Sequence, residues 1–126
     1  MGAIDWIALI VAALAAVLVD MAWYRLFVRG GNAPARAGPA VVGTLVVMLL
    51  AAWLMGHNFA RVGADTLAAK PWLYWMMSGG FALFIAAPAV WLTAARHGAS
   101  RRSSALEAGC WLAAFLAMGT VFWALG

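Results

Sequence analysis

The chain has 126 residues, 67% of them apolar and 10% charged, against about 45–50% and about 25% in soluble domains. One domain of this size cannot bury so much apolar surface away from water, which excludes a soluble globule and leaves lipid as the solvent for the excess. The net charge of +4 comes from eight basic and four acidic residues; the basic ones sit in short segments between apolar blocks, where they mark topology and form no nucleic-acid surface.

In chain order, the opening residues MGAID lack the positive start of a signal peptide, so the first apolar block counts as a membrane span. It runs from Ile4 to Phe27; Trp6 to Val19 is uninterrupted, and Asp20 then intrudes before the apolar character resumes. Charge-free runs of 24, 25 and 19 residues (Ala37–Ala60, Pro71–Ala95, Ala108–Gly126) then place three further spans at Pro39–Phe59, Trp72–Ala95 and Ala105–Leu125. About 20 residues, each rising about 1.5 Å, cross a hydrocarbon layer of about 30 Å. Runs such as IALIVAALAAVLV do not alternate as barrel strands must. The expected fold is all-α: a single integral membrane domain over residues 1–126, built as a four-transmembrane-helix antiparallel bundle with short loops.

Loops of about 11, 12 and 9 residues make each consecutive pair of helices antiparallel and adjacent. The first loop region carries Arg25, Arg29 and Arg36, and the third carries Arg96, Arg101 and Arg102; the second carries Arg61 and Lys70 beside Asp65. The excess of basic residues puts the first and third loops in the cytoplasm and both termini outside. Trp6, Trp72, Trp75 and Trp123 then fall near the outer boundary, and Trp23, Tyr24, Trp91 and Trp111 near the inner one, where amphipathic rings are favoured. Trp53 lies deeper, facing either another helix or lipid.

Small residues on the first span (Ala8, Ala12, Ala15, Ala16), the third (Gly79, Gly80, Ala82, Ala86) and the fourth (Ala113, Ala117, Gly119) allow close helix approach. Pro88 removes a donor inside the third span and deprives the Phe84 carbonyl of its i+4 partner, which predicts a kink over Phe84–Pro88. Ser104 and Glu107 form an S-x-x-E pattern, read as a capping box that starts the fourth helix.

Asp20 is the most informative polar residue. A carboxyl at its depth must face the bundle interior or a wet cavity, either as a functional group or as part of an internal hydrogen bond or ion pair. Tyr24, four residues on, shares its helical face and can donate to it. His57 and Asn58 mark the outer end of the second span, and Glu107 the inner end of the fourth. The two histidines, His57 and His97, lie at opposite ends of the membrane, and no HExxH or CxxCH pattern is present; a metal or cofactor is not expected, although a partner can supply one to His57. Cys110 is the single cysteine, so neither an intrachain disulfide nor a CxxC site is available. Met48, Met55, Met76, Met77 and Met118 read as packing side chains. Nucleophile elbow, phosphate loop and dinucleotide fingerprint are all missing; no catalytic residue and no enzymatic activity are expected.

Taken together, the Trp6–Ala8 start, the alanine-rich first span closing on Ala22-Trp23-Tyr24 before an arginine-rich loop, and the final helix with Glu107 ahead of small residues and a late Trp123 resemble a family of small bacterial four-span inner-membrane proteins, domain of unknown function 1761. The resemblance implies the fold and a bacterial inner (cytoplasmic) membrane location, and carries no catalytic residue. Two functions stay open. One is a structural, assembly or accessory-subunit role among membrane lipids, as a homo-oligomer or within a larger membrane-protein complex. The other is a homo-oligomeric small-solute or proton-coupled transporter or channel using Asp20.

Overall fold

A computed structural model describes residues 4–28 and 38–126. Arg29 and Arg36, counted among the loop bases above, lie outside the described residues. Six α-helices follow in order: α1 (Trp6–Trp23), α2 (Gly38–Val62), α3 (Ala64–Ala69), α4 (Leu73–Phe81), α5 (Ala87–Arg96) and α6 (Arg101–Leu125). Two single π-helical turns, Tyr24–Val28 after α1 and Ala82–Ala86 between α4 and α5, complete them. No strand occurs among the described residues. Among the described residues, four stretches are long and apolar enough to span a bilayer: Trp6–Phe27, Ala40–Val62, Leu73–Arg96 and Arg101–Leu125, with mean hydropathies between 1.6 and 2.2. The chain is an all-helical, multi-pass membrane protein.

Local chemistry explains the boundaries. The Asp5 carboxylate accepts from the backbone N–H of Ile7 and Ala8, both at 3.0 Å, and so caps the free donors that open α1. The second connection is largely helical, because α2 continues to Val62 and α3 fills Ala64–Ala69. Pro88 does interrupt the third span, by a widened turn: the Ala87 N–H reaches back five residues to the Ala82 carbonyl. A π turn beside proline absorbs the lost hydrogen bond and the ring's bulk within one helix.

The start of α6 corrects the reading of Ser104 and Glu107 as a capping box. Ser100 is the cap, its Oγ accepting from the Ser103 N–H at 3.1 Å, while Ser104 lies inside the helix and is buried. The cause is upstream. The Gly98 N–H bonds to the Ala95 carbonyl and the Ala99 N–H to the Ala94 carbonyl, the Schellman arrangement that ends α5. It requires a left-handed residue, and Gly98 has φ +77°, which glycine adopts without steric cost. With α5 closed so tightly, α6 begins one turn earlier than the S-x-x-E pattern implied. Ser100→Ala is therefore expected to cost about 1 kcal/mol of stability, read as a lower thermal midpoint; a silent Ser100→Ala would return the cap to Ser104.

The order in space is α2, α1, α6, then α4 with α5. α1 and α6 form the central pair, where Ala8, Ala12, Ala16 and Ala114 are fully buried and let the backbones approach. The expectation that the second and third spans lie side by side is corrected: α2 meets α4 only at one end, where Phe59 packs on Tyr74 with centroids 4.8 Å apart. Phe122 joins this cluster from α6, 5.2 Å from Phe59. Met55 and Met118 fill the core with at most 1% exposure, as packing side chains. At the α4–α6 crossing, Gly119 lies directly against Ser78 and the Tyr74 carbonyl. Leu83, Phe84, Ile85 and Leu92 point outward, as lipid-facing residues should.

Candidate functional site

The polar groups converge at the end of the bundle where α1 finishes and α6 begins. One antiparallel register pairs Asp20 with Cys110, Trp23 with Gly109, and Tyr24 with Glu107. The Tyr24 hydroxyl donates to Glu107 Oε1 across the helix interface. The Cys110 thiol donates to Asp20 Oδ1 at 3.4 Å, and both residues are buried. Asp20 and Glu107 are also within electrostatic reach of each other. Each contact joins the first span, α1 or the π turn that follows it, to α6, so the cluster is an interhelical clasp made from four side chains. Trp23 covers it: a Cβ at Gly109 would lie 3.0 Å from the Trp23 ring, so only glycine leaves the indole its full seat. The Trp23 Nε1–H is buried there without a hydrogen-bond partner among the described residues, a cost of about 1–3 kcal/mol carried by this packing.

On the far side of Glu107 lies a groove between α5 and α6 of about 510 Å³. Glu107 and Ser103 line it from α6, and Thr93, His97, Val90 and Ala94 from α5. Both sets follow helical i, i+4 spacing, which puts them on facing stripes. The His97 ring engages the Thr93 carbonyl through Nδ1 at 2.8 Å. A carbonyl can only accept, so Nδ1 carries the proton and donates to it. Glu107 is thus shared: one face belongs to the clasp, the other to the groove.

His57 and Asn58 take no part. They lie at the opposite end of the bundle, where His57 stacks on Trp53 with centroids 5.9 Å apart and Asn58 Nδ2 donates to the Leu54 carbonyl of its own helix at 2.8 Å. Trp53 is 47% exposed, so the lipid-facing alternative holds for it. Among the described residues no group of three His, Cys, Asp or Glu assembles.

Asp20, Tyr24 and Glu107 were legible as candidates from their depth in apolar spans. Cys110, Thr93, His97 and Ser103 were not singled out as site residues. The available signal was the i, i+4 pairing of Thr93 with His97 and of Ser103 with Glu107 on two helices joined by a short turn.

No curated protein and no solved structure matches the chain. A family model does, over residues 7–123, which takes in Ala8, the Ala22-Trp23-Tyr24 segment and the whole Asp20–Glu107 clasp. The match covers nearly the whole chain, and the chain belongs to the family described as "Protein of unknown function (DUF1761)".

Proposed function

We propose that this chain is a non-catalytic structural or accessory component of the bacterial cytoplasmic membrane, working as a homo-oligomer or as a subunit of a larger membrane-protein complex. The observation that carries this reading is the clasp. Tyr24 donates to Glu107 and Cys110 to Asp20 within one bundle, so the embedded acids serve first to hold α1 on α6. Intramembrane carboxyls are costly to insert, and a hydrogen-bonded role inside the fold offsets that cost. The short turn between α5 and α6 leaves little polar mass outside the membrane, while the outward apolar faces are free for lipid or a partner. The charge bias of the loops supports cytoplasmic first and third loops and external termini.

Native mass spectrometry after gentle extraction from the producing membrane tests this. A discrete homo-oligomer, or co-recovery with another membrane protein at fixed stoichiometry, is the expected result. A monomer with no retained partner, across several mild detergents, would overturn it.

A second reading, a homo-oligomeric small-solute or proton-coupled transporter or channel using Asp20, is favoured by one feature: Asp20 is a buried carboxyl within an apolar span, and such groups mark ion and proton pathways. On that reading Asp20→Asn retains the assembly and abolishes pH-driven flux in reconstituted vesicles. Unchanged flux would sink it.

A further inference from the structure

We infer that the groove between α5 and α6 is a binding site for a protonated primary amine carried on an apolar chain. Its polar lining holds the Glu107 carboxylate, the Ser103 and Thr93 hydroxyls, which accept hydrogen bonds, and the His97 ring, whose Nδ1–H is already committed to the Thr93 carbonyl. Its remaining walls are Ala89, Val90, Ala94 and Ala99, short aliphatic side chains that suit a hydrocarbon stem.

Depth fits the same ligand. Glu107 lies six residues into α6, about 9 Å along the helix axis at about 1.5 Å per residue. A polar head reaching it must bring an apolar stem that remains in the lipid. Charge fits too. The Glu107 carboxylate lines the groove, and an ammonium beside it gains charge-assisted hydrogen bonds. A cation with N–H donors also satisfies the hydroxyl acceptors that surround it. A quaternary ammonium has the charge without the donors, and an alcohol has a donor without the charge; both are discriminated against. The Tyr24 hydroxyl approaches Glu107 from the turn that follows α1, which orients the carboxylate between its helix partner and the groove. The inference stands apart from the accessory-subunit reading, because every lining residue comes from one chain.

The ammonium can be borne by a lipid headgroup or by a free alkylamine. Purified chain in detergent is titrated with n-octylammonium and, separately, with n-octanol, reading the thermal midpoint. Native mass spectra are recorded after adding phosphatidylethanolamine or phosphatidylcholine of the same acyl chains. The expected result is a saturable rise in midpoint with octylammonium and none with octanol. Glu107→Gln weakens octylammonium binding at least tenfold. Ala89→Trp, which fills the groove without touching the clasp, also weakens it at least tenfold and serves if Glu107→Gln does not fold. Retention of phosphatidylethanolamine over phosphatidylcholine assigns the ammonium to lipid; octylammonium binding without that retention assigns it to a free amine. Equal effects of octanol and octylammonium, or octylammonium binding unchanged by Ala89→Trp, overturn the inference.

Discussion

Replacing Gly119 with leucine is expected to disrupt the bundle more than any other single change considered. A Cβ at this position would overlap Ser78 Oγ and come within 2.9 Å of the Tyr74 carbonyl oxygen. The hydroxyl can rotate away, but the carbonyl belongs to the α4 backbone, so α4 must move off α6. Overpacking a well-packed interior costs about 1–3 kcal/mol and occasionally more, and leucine at a backbone-to-backbone crossing belongs at or beyond the upper end. Gly80→Ala is the control, since a Cβ there meets nothing within 4 Å. It removes a helix-interior glycine, a gain of about 0.5–1 kcal/mol. Thermal midpoints in detergent decide: Gly119→Leu falls steeply or fails to fold, and Gly80→Ala holds or rises. Two indistinguishable midpoints would mean that α4 and α6 do not depend on this approach.

The second large effect lies in the clasp. Tyr24→Phe removes the phenol donor to Glu107 while leaving the acid in place, and Glu107→Ala removes the carboxylate acceptor of the Tyr24 hydroxyl. Interhelical hydrogen bonds in membranes average about 0.6 kcal/mol and reach about 1.7 kcal/mol. Losing a buried partner costs about 1–3 kcal/mol, so each single variant is expected to be destabilised by about that amount. The double variant should cost less than the sum, with a coupling of about 1–2 kcal/mol. Additive costs would show that the tyrosine and the acid act independently and that the clasp is not a unit. The same cycle separates framework from ligand. Tyr24→Phe weakens the bundle but keeps the acid at the groove, whereas Glu107→Ala removes both contributions.

The architecture was legible because bilayer physics is written locally. Charge-free runs of about 20 residues, non-alternating apolar blocks and bracketing arginines each identify a span without knowledge of its neighbours. Pro88 likewise announces a broken helix at its own position, and the widened turn at Ala82–Ala86 lies next to it. The start of α6 was misplaced by a short-range pattern that competes with another. Ser104-x-x-Glu107 satisfies the capping box, but Gly98 closes α5 early enough for Ser100 to cap first.

Adjacency is a different kind of information. Chain order with short loops implied that each span packs on the next, yet α2 and the third span flank the central α1–α6 pair. Nothing local to any helix encodes that choice, since alanine is abundant on several spans and the winning contact depends on which faces fit together. The polar cluster follows from it. Asp20 and Glu107 were each recognisable as embedded acids from sequence alone, and each had a plausible partner on its own helix: Tyr24 for one, Ser104 for the other. Once α1 lies against α6 in one antiparallel register, Tyr24 serves Glu107 and Asp20 meets Cys110. The sequence by itself determined the solvent, the number of spans and which acids lie in the membrane, because hydropathy and insertion cost are summed along the chain. Only the tertiary structure decided which polar groups share a site, because a hydrogen bond forms within about 3 Å and that proximity is set by helix packing.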